Sequence, residues 1–130
     1  MPISFTLDAE KRRVHFMVTG TFTLHDILDA VKATLALPEF GPQFQILSDH
    51  RGVERPASVQ DVEDMIAFMR ASRERFQGMR WAVVTNRPGS YVIMGLLSTL
   101  ADLRVQMDVR VFTRLDEATR WLDGEEPPAS

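Results

Sequence analysis

The sequence predicts an α/β domain: a mixed, mostly parallel five-stranded sheet with flanking helices, in the order β-β-α-β-α-β-α-β-α. Three observations carry this. Two runs near the start, Ile3/Phe5/Leu7 and Val14/Phe16/Val18, alternate with polar neighbours at the period of two expected of half-buried strands. The later run Trp81-Ala82-Val83-Val84-Thr85 is short and almost continuously apolar, as in a central strand buried on both faces. Between such runs lie segments of helical spacing that open on capping residues. Strands alternating with helices need right-handed crossovers and parallel pairing, while the opening hairpin adds one antiparallel strand.

The elements follow in order. The polar residues 8–13 join the first two strands as a hairpin loop. Thr23 is an N-cap with Asp26 at the third helical position and Phe22/Ile27 as a hydrophobic staple; Leu24, Ile27, Leu28, Val31 and Leu35 continue the helix, and Pro38 stops it. Gly41 and Pro42 make a turn, and 44–48 read as a buried strand, followed by a loop over 49–57. Ser58 caps a second helix with Asp61 at its third position. Val59, Val62, Met65, Ile66, Met69 and Phe76 form its apolar stripe, and Gly78 ends it. Its acids (Asp61, Glu63, Asp64) lie early and its arginines (Arg70, Arg73, Arg75) late, matching the helix dipole. After the strand at 81–85 comes a loop, 86–89, with Ser90 as the expected cap of a third helix over 91–103. Residues 105–112 form the fifth strand. Thr113 caps a last helix carrying Leu115, Ala118, Trp121 and Leu122. Residues 1–123 are expected to form one domain, and 124–130 a flexible polar tail.

Composition narrows the class. A chain of 130 residues, 45% hydrophobic and 25% charged, builds one core and no more. It has no cysteine, which removes disulfides, thiolate metal sites and Cys nucleophiles. The first residues run into Asp8, Glu10, Lys11, Arg12 and Arg13 without an apolar core, so no signal peptide is read. The longest charge-free run, 88–101, is too short to span a bilayer. The expected location is cytoplasmic, with no stable membrane insertion. A net charge of −3 argues against nucleic-acid binding. The three histidines fall on separate elements, so neither a metal nor another cofactor is expected.

Read in order, these motifs resemble the bacterial SpoIIAA-like family, relatives of the STAS domain of sulfate transporters and anti-sigma-factor antagonists. The carrying residues are Val18-Thr19-Gly20 at the end of the hairpin, the helix from Thr23, and Ile46-Leu47-Ser48-Asp49. Arg80-Trp81-Ala82-Val83-Val84 and Val109-Arg110-Val111-Phe112 follow, with Glu117-Ala118-Thr119-Arg120-Trp121-Leu122 at the end. The resemblance covers residues 3 to 122. It implies a domain for protein interaction or regulation and not for catalysis. It also implies a phosphate-accepting Ser, within an Asp-Ser pair, at the start of the helix after the first parallel strand. The nearest position here is Ser58, preceded by Ala57. The family's weak nucleotide binding finds no Gly-rich phosphate loop in this chain.

Two groups of residues are candidate sites. Asp49, His50 and Arg51 lie beyond the carboxyl end of a parallel strand, where open α/β sheets form ligand crevices. With Ser58, Arg87 and Ser90 they are a candidate anion or phosphate site. The bland alternative has Asp49 capping loop N–H groups and His50 in solvent. A hydrolase triad from Ser58 or Ser90 with His50 and Asp49 lacks a nucleophile elbow. The third helix is the second candidate. Tyr91, Val92, Met94, Leu96, Leu97 and Leu100 point in every direction around it, so it is either covered by neighbouring helices of the domain or meets a protein partner, a second copy in a homodimer, or an apolar ligand. The leading expectation is a non-enzymatic interaction or regulatory module. The alternative is a small-ligand or lipid-binding domain with its pocket beside that helix.

Overall fold

Strand order explains most of the architecture. The computed structural model describes residues 3–41 and 44–124. Its five strands are β1 (Ile3–Asp8), β2 (Arg13–Gly20), β3 (Gln45–Val53), β4 (Arg80–Val84) and β5 (Asp108–Phe112), and they lie side by side in chain order. β1 and β2 are antiparallel; β2, β3, β4 and β5 are parallel. Three right-handed crossovers that all step the same way must put their helices on the same face. These are α1 (Leu24–Leu35), α2 (Val59–Ala71) with the short α3 (Arg73–Phe76), and α4 (Pro88–Val105). The last described helix, α5 (Leu115–Leu122), packs on the other face against β3, β4 and β5.

The two faces therefore carry two cores. Under α1, α2 and α4, the strands contribute Val14, Phe16, Val18, Ile46, Trp81, Val83 and Val109. The intervening residues Leu47, Ala82 and Val84 meet Ala118, Trp121 and Leu122 of α5. This is period-two alternation applied to strands with both sides covered. Ring contacts knit the larger core, with Phe16 between Phe5 and Trp81. Arg13 on β2 donates to Asp123 Oδ1 at 2.6 Å and ties the smaller core's end to the sheet.

The predicted capping boxes are present. Thr23 Oγ1 accepts from Asp26 N–H and Asp26 Oδ2 accepts from Thr23 N–H. Ser58 and Asp61 do the same, at 3.0 Å each way. Other boundaries differ from expectation. The second helix breaks at Ser72, whose ψ of 33° leaves helical geometry, and α3 resumes for four residues before Gly78 at φ +80°. α4 starts at Pro88, a residue suited to the first helical turn where no N–H bond is lost, so Ser90 lies inside the helix and is not its cap. α4 also runs to Val105, ending where Gln106 takes the left-handed conformation (φ 56°), so the fifth strand begins at Asp108 and not at 105. The cap position of α5 is Arg114, not Thr113, and it makes no side-chain cap bond. Pro42 and residues 125–130 of the expected tail lie outside the described residues.

Candidate functional site

The largest correction concerns residues 49–51. They are strand, not loop: β3 continues to Val53 because β2 keeps pairing with it, Thr19 opposite Gly52 and Gly20 opposite Val53, beyond the last β4 partner of Asp49. Strand alternation then separates the three residues. Asp49 turns away from α1, α2 and α4 and is buried; Arg51 donates to it from the backbone N–H (3.1 Å), Nε (2.9 Å) and Nη2 (2.7 Å). The guanidinium's forked hydrogen bonds hold the Asp49 carboxyl below the usual carboxylate range, against the opposing effect of burial. Asp49 does cap a backbone N–H, as the bland reading had it.

His50 turns the other way, under the helices. It is 8% exposed, which corrects the expectation of a solvated imidazole. Its ring meets Phe22 edge-on at 6.2 Å. Among the described residues nothing hydrogen-bonds the imidazole, and neither nitrogen is sealed from solvent. Burial pushes its pKa down from 6.5 to about 4, with Asp49 partly opposing. It is a neutral imidazole near neutrality.

His50 lines a cleft of about 50 Å³ between the sheet and the helices. β3 supplies Ser48 and His50, β4 supplies Trp81 and Val83, α1 supplies Ile27 and Val31, α2 supplies Val62 and Met65, and α4 supplies Met94 and Leu97. Ser48 is already engaged: the Trp81 Nε1–H donates to its hydroxyl at 2.8 Å. Among the described residues Asp61 is the one acid on the wall, and no Arg or Lys lines the cleft. The sequence reading missed the contributions of α1, α2 and Trp81. Its signal was present, since Ile46, Ser48 and His50 continue a period of two into the segment taken as loop.

The remaining candidates are scattered. Asp49 and His50 lie on opposite faces of β3, so one cannot orient the other for triad chemistry. The Ser58 hydroxyl is occupied as a helix cap. Arg87 stands at the N-cap position of α4. Ser90 is buried, and its Oγ has no hydrogen-bond partner among the described residues. Among the described residues no group of three or more His, Asp or Glu is placed to hold a metal. No described helix is long and apolar enough to cross a membrane.

α4 divides its apolar residues between two faces. Ser90, Met94, Leu97, Ala101 and Val105, at steps of four and three, face the sheet and are buried. The Ser98 hydroxyl donates to the Val109 carbonyl and fixes the helix over β5. On the outer side Val92 is 69% and Leu103 is 67% exposed, Tyr91 is exposed, and Leu96 and Leu100 are half-buried. Of the six residues singled out on this helix, Met94 and Leu97 thus belong to the cleft, and Tyr91, Val92, Leu96 and Leu100 to the outer side.

Comparison with known proteins agrees with this architecture. The crystal structure of an uncharacterized protein from the DUF3478 family with a SpoIIAA-like fold, from Shewanella loihica PV-4, superposes with a TM-score of 0.60. The two share 15% sequence identity, over 92% of this chain and 91% of that one, which is a likeness of fold. No curated protein matches the chain. The SpoIIAA-like family model matches residues 13–123, from the second strand of the hairpin to the end of α5, and the chain therefore belongs to the SpoIIAA-like family.

Proposed function

We propose that this chain is a non-enzymatic interaction and regulatory module that docks through the outer face of α4, with a second copy of itself as the partner. The observation that carries this is the outer stripe Val92, Leu96, Thr99, Leu103, in which Leu96 is half-buried and the other three are exposed. Its spacing of four, three and four reads the same in both directions. An antiparallel α4–α4 pair sets Val92 against the partner's Leu103 and Leu96 against the partner's Thr99, which is the self-complementarity a two-fold interface requires. The measurement is molar mass by light scattering across a concentration series, repeated on Val92→Glu and Leu103→Glu. A dimer that both variants convert to a folded monomer supports the reading. A wild-type monomer at hundreds of micromolar overturns it.

A second reading, a small-ligand-binding domain, is favoured by the cleft. Its walls are apolar, with Ile27, Val31, Val83 and Leu97 among them, which suits a small apolar group.

A further inference from the structure

We propose that the outer edge of β1 is a second contact surface, which takes the β1 strand of another copy in an antiparallel register centred on Phe5. It stands apart from α4, which packs over β5 at the other end of the sheet, so the two contacts do not compete.

The backbone shows which groups are free. The Gln45 N–H donates to the Arg12 carbonyl and the Glu54 N–H to the Gly20 carbonyl, so the even-numbered residues of β2 turn their peptide groups to β3. By alternation, Arg13, His15 and Met17 bond their opposites in β1, namely Asp8, Thr6 and Ser4. The N–H and C=O groups of Ile3, Phe5 and Leu7 therefore point out of the sheet, where β1 has no further strand among the described residues. Pairing about Phe5 sets Ile3 against the partner's Leu7 and Phe5 against the partner's Phe5. Each such pair exchanges two hydrogen bonds, about six in all.

The side chains agree with that register. Ile3, Phe5 and Leu7 are half-buried against the larger core, with Phe5 edge-on to Phe16 at 5.8 Å, so the join extends the core from one copy to the next. Ser4 meets the partner's Thr6 on the exposed face, and residues 3–7 carry no charge. A slip of one residue would set apolar side chains against polar ones. The other edge is guarded. The Ser98 hydroxyl already occupies the outward Val109 carbonyl, and pairing β5 with itself about Arg110 would oppose two guanidiniums. β1 has no such guard, and bare edges recruit strands. Five residues a side is a small contact, so it opens on dilution before the α4 pair does.

The test uses the Val92→Glu/Leu103→Glu chain, so that loss of the α4 contact does not affect the outcome. The chain has no cysteine, so added thiols are the only ones present. Ser4→Cys and Thr6→Cys versions are mixed at high concentration and oxidised. Residues 4 and 6 of two copies lie ~4.5 Å apart in this register, within disulfide reach, whereas like positions lie ~7–8 Å apart. The mixed disulfide should exceed either like product on the order of tenfold, against about twofold for random collision. The amide resonances of Ile3, Phe5 and Leu7 should shift with concentration, and Ser4→Lys/Thr6→Lys should abolish both effects in a folded chain. Products in the random ratio, or shifts that survive the lysines, overturn the register. Amides that ignore concentration but respond to a synthetic peptide of alternating apolar residues overturn the second copy as occupant.

Discussion

Replacing His50 tests the cleft's electrostatics through folding stability. In the folded chain, burial lowers the imidazole pKa from 6.5 to about 4. The unfolded chain therefore binds a proton that the folded chain refuses. Stability must rise with pH through that window, be fully present above pH 6.5, and be lost as pH falls to about 4. At about 1.4 kcal/mol for each unit of pH, the loss from this one group is about 3 kcal/mol. That is a large fraction of the ~5–15 kcal/mol that holds a typical domain together. Asp49 acts in a separate window. Its carboxyl is lowered from 3.8 by the Arg51 hydrogen bonds, so its contribution is present above 3.8 and disappears only below it. Urea unfolding of the wild type and of His50→Gln, from neutrality down to pH about 2.5, separates the two. The variant should be less dependent on pH across the upper window by about 3 kcal/mol, with the lower window unchanged. An imidazole titrating near 6.5 in the folded protein, or identical pH profiles for the two chains, would refute the burial argument.

Three further outcomes follow from named contacts. Ser48→Ala leaves the Trp81 Nε1–H buried without its acceptor and should cost about 1–3 kcal/mol in chemical denaturation. The double variant with Trp81→Phe should cost less than the sum of the two single changes, because the indole donor is gone as well. Ser58→Ala should cost about 1 kcal/mol, and Ser58→Asp only a few tenths, because either oxygen can accept from the Asp61 N–H. A loss in the aspartate variant as large as in the alanine variant would show that the hydroxyl does more than cap. Gly95→Ala should raise stability by about 0.5–1 kcal/mol in thermal melts of dilute protein, since an added Cβ there meets nothing within 4 Å. If the same change also weakens self-association, the glycine serves close approach of the partner helix.

Much of the fold was legible because its signals are local. The hairpin announced itself by alternation, and Thr23 and Ser58 by a capping residue three positions ahead of an acid. Errors gathered where a boundary is set by something distant. Nothing near Asp49 in the chain says that β2 will go on pairing past it; that depends on Thr19 and Gly20, 30 and 29 residues away. The break at Ser72 and the extension of α4 to Val105 were hidden for a related reason. An apolar residue such as Phe76 or Val105 fits a helix or a strand equally well until packing chooses.

The amino-acid sequence by itself determined the order of the elements, the mixed sheet and the presence of a helix with more apolar surface than a small domain can hide. Only the tertiary structure decided that His50 and Asp49 part company, that Met94 and Leu97 close a cleft, and that Val92 and Leu103 stay in solvent. The physical reason is one of reference frames. Periodicity reports which residues share a side of their own element. What lies against that side is set by crossover handedness and long-range pairing, which no short window of sequence contains.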